Sequence, residues 1–304
     1  MLRVEELSKS FGLIKAVEKV SFSVEPGSIT ILAGADGAGK STILKMILGL
    51  VKKDGGEIYL NNEPIGRNYS RITRISGYMP ERFSLYPDLS VEENLNFYSD
   101  IHGVAKKRRE EMKHRLLKRT GMLPFKNRKA GALSGGMKQK LSLSTILLAF
   151  PEIIILDEPT TGVDPLSRIE FFDIIEELKD QGKTIIMATP YLDEAEKGDA
   201  VIFIKGGKIL RIGSISELKK NFPAKIFRIL PEGNILEVMQ SLQTDSEIRD
   251  DIYVRGRYIK YLQKEERGLI GRIPAREIQE ESPTLEDIFL YYERSGHDSR
   301  QAGQ

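Results

Sequence analysis

An α/β fold with a parallel sheet is predicted by two alternations of strand and helix, and a change of texture after Gly213 adds a second domain. The first alternation is Ile29-Thr30-Ile31-Leu32-Ala33, a short buried-strand candidate, followed by a glycine-rich segment and the apolar run Ile43 to Leu50. The second lies between residues 151 and 213, where apolar runs suited to buried strands alternate with amphipathic helical segments. Parallel neighbours need a long crossover, so strand, glycine loop and helix in that order are the expected building unit.

The elements follow in order. Gly27 and the pair Gly55-Gly56 mark turns beside the early strands. From about 88 to 150 the texture is helical: Ser90 with Glu93 three residues on forms a capping box, and Val91, Leu95, Tyr98 and Ile101 fall on one face before Gly103. Lys106-Lys107-Arg108-Arg109 opens an amphipathic segment running to Gly121, and Glu110-Glu111 break its charge run, as on a solvated helix face. Ile153 to Leu156 is a buried strand. Asp164 as N-cap with Pro165 at the first helical position starts a helix that closes at Gly182. Thr184 to Ala188 is a further strand, and Val201 to Ile212 reads as a hairpin around Gly206-Gly207. Beyond Gly213 a strand (Lys225 to Leu230), a helix (Ile235 to Leu242) and strands around Ile252 to Leu262 predict a small α+β domain, and the polar residues from Ser295 a frayed tail.

Composition narrows the function. The 304 residues carry 46 Lys plus Arg against 44 Asp plus Glu, a formal charge of +2, so no net positive field points to a nucleic acid. Cysteine is absent, which excludes disulfides, thiolate metal sites and thiol nucleophiles; with only His102, His114 and His297, a histidine metal site is not expected. The start, with Arg3, Glu5 and Glu6 ahead of any apolar run, does not read as a secretory signal. No stretch reaches the roughly 18 apolar residues of a spanning helix, so a membrane role would have to come through a partner.

Three motifs carry chemistry. Gly34-Ala35-Asp36-Gly37-Ala38-Gly39-Lys40-Ser41-Thr42 fits G-x-x-x-x-G-K-[ST] between a strand and a helix. Glycines let backbone N–H groups curl around phosphate oxygens, the helix N-terminus adds positive potential, Lys40 reaches the terminal phosphates and Ser41 ligates magnesium. Ile153-Ile154-Ile155-Leu156-Asp157-Glu158 is a strand ending in two carboxylates: Asp157 suits magnesium, and Glu158 suits the attacking water. The third is Leu133-Ser134-Gly135-Gly136-Met137-Lys138-Gln139, a glycine turn capping a helix.

This third segment closely resembles the signature loop of ABC ATPases, in which Ser and Gly N–H groups grip the γ-phosphate of ATP bound to the opposite subunit; here these are Ser134, Gly135 and Gly136. Other segments match the family in order. Phe11 stands where an aromatic stacks on adenine, Tyr78-Met79-Pro80-Glu81 occupies the Q-loop, and Thr161-Gly162-Val163-Asp164 resembles the D-loop of the dimer interface. The resemblance implies a P-loop NTPase of the ABC ATPase type, a mixed sheet core plus a helical subdomain, over residues 1–215, with the helical subdomain at about 82–150. An accessory α+β domain is expected at 216–294 and a flexible tail at 295–304. It further implies ATP and Mg2+ as ligands and ATP hydrolysis coupled to transport. Type-2 exporters are the most similar group, so membrane-spanning subunits are the expected partners at the cytoplasmic face of the membrane.

Two positions depart from the family pattern. Glu81 replaces the usual Gln, though its carboxylate can still ligate magnesium and sense the γ-phosphate. Pro190 stands where the family has its switch histidine, and proline offers neither a side-chain donor nor a backbone N–H. The expectation is a site that binds ATP and hydrolyses it poorly, paired with a second, intact ATPase subunit; a slow homodimer is the simpler alternative. Two rival readings stand beside this one: a soluble ABC ATPase acting on ribosomes or nucleic acid, and a non-hydrolysing regulatory nucleotide clamp. In the C-terminal domain, Thr284 with Asp287 is expected to cap a closing helix that packs through Leu285, Ile288 and Phe289.

Overall fold

A computed structural model describes residues 1–245, 251–264, 271 and 273–295. The chain divides into two units, Met1–Ile209 and Leu210–Gln304, with the division inside a strand ahead of the residue 215 boundary expected from the sequence. The first unit opens with β1 (Leu2–Phe11), β2 (Ile14–Val24), β3 (Ile29–Ala33), α1 (Lys40–Ile47), β4 (Gly55–Leu60), β5 (Glu63–Pro64), α2 (Ser70–Thr73) and β6 (Ser76–Met79). Next come α3 (Val91–Ile101), α4 (Lys106–Arg119), two 3-10 turns at Leu123–Phe125 and Ala130–Ala132, and α5 (Gly135–Leu147). The unit continues with β7 (Ile153–Asp157), α6 (Pro165–Asp180), β8 (Thr184–Thr189), α7 (Leu192–Ala195), β9 (Ala200–Lys205) and the start of β10 (Lys208–Ser214).

The central sheet has the order β10-β9-β3-β8-β7-β6, and the pairs β9–β3, β3–β8, β8–β7 and β7–β6 are parallel. Every residue of β3 and β7 is buried, as expected of strands covered on both faces, which explains their unbroken apolar runs. Ile155, fully buried in β7, is tightly packed. Ile155→Val is expected to lower stability by about 0.5–1.5 kcal/mol, read from the denaturant midpoint with an unchanged m-value.

A second, antiparallel sheet of order β2-β1-β4-β5 was not resolved into strands by the sequence reading. The reason is local. Between the pairs Val4↔Phe22 and Leu7↔Val20, β1 advances three residues while β2 advances two, so a bulge interrupts the alternation. Glu6 (φ 49°) takes up the bulge, and Gly56 of β4 fits against it because a Cβ there would lie 2.4 Å from the carbonyl oxygens of Glu5 and Glu6.

The helical subdomain packs around Leu85, Val91, Leu95, Leu117, Met122, Ala130, Leu133, Leu141 and Leu148. The Ser90–Glu93 capping box forms as expected. The buried face of α3 is rotated from the one predicted: Val91 and Leu95 are inside, Asn94 and Ser99 are buried with them, and Ile101 is 60% exposed. Asn94 belongs inside because its side chain satisfies Tyr86 N–H and the carbonyls of Tyr86, Leu89 and Ser90, shaping the loop before α3.

The second unit holds α8 (Ile215–Lys220), β11 (Lys225–Pro231), α9 (Ile235–Gln243), β12 (Ile252–Arg255), β13 (Tyr258–Gln263), β14 (Ala275–Glu281) and α10 (Leu285–Ser295). Its antiparallel sheet has the order β12-β13-β11-β14, and α9 packs on it through Val238 and Leu242 against Ile229, Ile252, Ile259 and Tyr261. Thr284 and Asp287 exchange bonds as a cap of α10, with Leu285 and Ile288 fully buried and Phe289 half-buried. Ser295 ends this helix rather than beginning a tail; the rest of the expected tail, 296–304, lies outside the described residues.

Candidate active site

The glycine loop runs from the end of β3 into α1, as its motif requires. Gly34 must lack a side chain, since a Cβ there would meet Ile204 O at 2.2 Å; Gly39, at φ +106°, would meet Ala16 O at 2.4 Å. Ala35, Asp36 and Gly37 are exposed at the crest, Ala38 is buried, and Ser41 and Thr42 lie half-buried in the first turn of α1. Lys40 is only 3% exposed. Its Nζ donates to Gly34 O (2.8 Å) and Ala35 O (3.1 Å) and stands 3.2 Å from Glu158 Oε1. This buried cation is held in place by the carbonyls of its own loop and by Glu158.

Asp157 ends β7 and is fully buried. Its Oδ1 accepts from Ser41 Oγ (2.7 Å) and its Oδ2 from the Tyr78 hydroxyl (3.1 Å). Burial, then the Asp157 charge, pushes the Tyr78 phenol well above its usual range, so it stays a donor to the carboxylate. A hydroxyl and a carboxylate side by side, both hard oxygen donors, fit magnesium, which is normally held by one or two protein oxygens together with substrate phosphates. Among the described residues no group of three or more His, Asp or Glu forms a cage that would hold a metal without phosphates.

Glu158 is 9% exposed and takes φ 50°, a conformation that costs a non-glycine residue about 1–3 kcal/mol. Such strain persists only where the surroundings fix it. Here the Glu158 N–H donates to Ala188 O (2.9 Å), and Thr161 touches the Glu158 carboxylate through its hydroxyl at 3.4 Å. The twist carries the carboxylate from the strand end back toward Lys40.

Lys40, Ser41, Asp157 and Glu158 thus converge. Glu81 does not touch them: it stands exposed just past β6, and its charge acts on Tyr78 beside the cluster. Phe11 ends β1 half-exposed, with Lys9 Nζ 5.3 Å from its ring centre, a surface suited to a stacked base. Ser134 N-caps α5 through Met137 N–H, and Ser134 and Gly135 face solvent; among the described residues no hydrogen bond joins them to Gly34–Thr42. Gly136 is buried against α6, where a Cβ would meet Ser167 Cβ at 2.4 Å, so this glycine also locks the signature loop onto the helix after the D-loop. Asp164 caps α6 by accepting from Ser167 N–H (2.9 Å), and the Ser167 hydroxyl, then this N–H, hold its carboxyl below the usual range. Pro190 follows the last residue of β8 directly and is half-buried.

Three neighbours of the site carry no signal of their own in the sequence. Tyr78 belongs in sequence only to a loop motif, although its place one residue before the end of β6, the parallel neighbour of β7, puts it beside Asp157. Thr189 and Glu194 carried no motif of their own.

The sequence profile of the ABC transporter family matches residues 17–161. The linearmycin resistance ATP-binding protein LnrL of Bacillus subtilis is 35% identical over 223 residues, covering 72% of this chain and 70% of the relative. The chain belongs to the ABC transporter ATP-binding family. This ABC chain is also 36% identical over 301 residues to the probable multidrug ABC transporter ATP-binding protein YbhF of Escherichia coli, covering 95% of itself and 51% of that relative. It therefore spans about half the length of that relative. Among solved structures, the ABC chain superposes on the dimeric cassette MJ0796 bound to ADP and Pi with a TM-score of 0.65 at 26% identity, over 71% of this chain and 99% of that one. A further ATP-binding subunit of an ABC transporter matches at a TM-score of 0.65 and 30% identity, over 73% of this chain and 93% of that one. The likeness is to the α/β ABC ATPase fold, a mixed sheet with helices.

Proposed function

We propose that this chain is the ATP-binding and ATP-hydrolysing subunit of an ABC exporter. The observation that carries the reading is the convergence of Lys40, Ser41, Asp157 and Glu158 at one buried point below an open glycine loop. Lys40 and the loop backbone bind the β- and γ-phosphates, Phe11 offers its ring to adenine, and Glu158 orients the attacking water and takes its proton. Ser41 and Asp157 would hold magnesium, which neutralises charge on the phosphate oxygens when bound. Exporter function is supported by relatives named for multidrug transport, linearmycin resistance and Nod factor export.

Partners follow from what the chain lacks and exposes. Ser134 and Gly135 point to solvent, which suits a head-to-tail dimer in which they complete a neighbour's site. No helix among the described residues is long and apolar enough to cross a membrane. Tyr86 (46% exposed) and Phe97 (37% exposed) pack edge-to-face at 4.7 Å on the helical subdomain, with Ile101 exposed on the same helix as Phe97, an apolar surface suited to a membrane subunit. That subunit would hold the chain at the cytoplasmic face. Pro190 favours a heterodimer with a second, intact ATPase, because this chain's own site lacks the switch side chain while its signature loop is complete.

The test is single-turnover ATP hydrolysis with binding of a fluorescent ATP analogue. Lys40→Ala removes charge-assisted bonds to phosphate, each worth about 1.5–3 kcal/mol, so the analogue's Kd is expected to rise about 10- to 100-fold. An unchanged Kd in this variant, or no binding by the unaltered chain at millimolar analogue, sinks the reading.

A further inference from the structure

Glu194 is a deeply buried carboxylate outside the cluster just described. It is 2% exposed, in the single turn α7, and nothing in the proposed reaction uses it. Two hydroxyls donate to it and a guanidinium stands beside it. The Thr160 hydroxyl donates to Oε1, the Thr189 hydroxyl donates to Oε2 (2.5 Å), and Arg168 Nε stands 3.3 Å from Oε1. Burial pushes the carboxyl up while the two hydroxyls and Arg168 pull it down.

The segments it joins are those that carry the reaction. Thr160 lies two residues beyond Glu158, in the turn that holds Glu158 at its strained φ. Thr189 is the last residue of β8, next to Pro190; its hydroxyl also accepts from Tyr191 N–H (3.1 Å), closing the turn around Pro190, and its carbonyl accepts from Gly34 N–H (3.3 Å) at the start of the glycine loop. Arg168, on α6 beyond the D-loop, lies over the Tyr191 ring at 4.7 Å. With the Glu158 N–H bonded to Ala188 O, the ends of β7 and β8 are tied twice: once through backbone, once through Thr160, Glu194 and Thr189.

We infer that Glu194 is a positioning residue for ATP hydrolysis, fixing through Thr160 and Thr189 the turn that presents Glu158 and the turn at position 190. This rests on the proposed hydrolytic reading. A carboxylate suits the position best. Its two oxygens accept one hydroxyl each and its charge pairs with Arg168, whereas Gln loses that charge and offers one acceptor, so one threonine hydroxyl would have to turn and accept from the amide. Asp is one methylene shorter and cannot reach both hydroxyls from the same backbone site.

The test uses the full chain with Glu194→Gln, Thr160→Val, Thr189→Val and the double variant Glu194→Gln/Thr160→Val. The readouts are the Kd of a fluorescent ATP analogue, single-turnover hydrolysis, and backbone amide exchange over residues 158–163 and 189–195. Each single variant is expected to bind the analogue within threefold of the unaltered chain and to hydrolyse ATP about tenfold more slowly. The double variant is expected to be no slower than the slower of its parents, since both act through one contact. Amide exchange is expected to rise in the two named segments and not in α3. Hydrolysis by Glu194→Gln within threefold of the unaltered chain, or a double variant whose losses multiply, overturns the inference. So does a loss of analogue binding in proportion to the loss of rate. If Glu194→Gln does not fold, the two Thr→Val variants decide, each removing one hydroxyl while keeping the branched shape. An unaltered chain that binds the analogue without hydrolysing ATP fails the hydrolytic reading instead. Amide exchange then decides for Glu194: a rise in both segments supports it, and unchanged exchange overturns it.

Discussion

Glu158→Gln is expected to slow single-turnover ATP hydrolysis by about 10²- to 10⁴-fold, the usual contribution of a positioned general base, while ATP stays bound. The substitution is close to isosteric, so the turn at φ 50° and the Glu158 N–H bond to Ala188 O can persist. What disappears is charge and basicity. A carboxylate 3.2 Å from Lys40 Nζ also competes with phosphate for that cation, so removing the charge frees Lys40 for the nucleotide. The variant is therefore expected to hold ATP at least as tightly as the unaltered chain, read as nucleotide retained after gel filtration. A hydrolysis rate unchanged by Glu158→Gln would remove this residue from the reaction; a rate lost together with ATP binding would make it a structural member of the loop.

The parts of the site that were legible in the sequence are those where physics forces a residue type at a fixed spacing. Gly34 and Gly39 are required by close backbone approach, Lys40 by reach, and Asp157 and Glu158 by the end of a strand whose five residues are all buried. The parallel core was legible for a related reason: strands covered on both faces are continuous apolar runs. Where the signal depends on contacts distant in sequence, it vanished. The β1–β2 pair hides behind a bulge that breaks its alternation, and Ile101 of α3 looked like core because the spacing of apolar residues outweighed the buried Asn94, whose partners are backbone groups of a preceding loop. Glu194 is an extreme case. Its partners, Thr160, Arg168 and Thr189, follow no period and come together only because parallel β7 and β8 end side by side.

Pro190→His is expected to raise single-turnover hydrolysis by about 10²- to 10³-fold, the size of one preorganised electrostatic contact in a transition state. The place is prepared for it. Position 190 follows β8 directly, in a turn closed on one side by the Thr189 hydroxyl between Tyr191 N–H and Glu194, and on the other by Thr189 O accepting Gly34 N–H at 3.3 Å. These bonds belong to residues 34, 189, 191 and 194, so the backbone path does not depend on the proline ring. Replacing proline also restores a backbone N–H at a half-buried position, and an imidazole there would be expected to donate toward the γ-phosphate that the proposed reading assigns to Lys40. The gain should sit in the rate and not in ATP affinity, because a contact made mainly in the transition state leaves ground-state binding alone. A rate that does not rise in Pro190→His, in a variant that binds ATP as before, would show that the missing imidazole is not what limits this site. The weak-site argument for a heterodimer would then lose its support, since a homodimer with two equal sites would explain the chain as well.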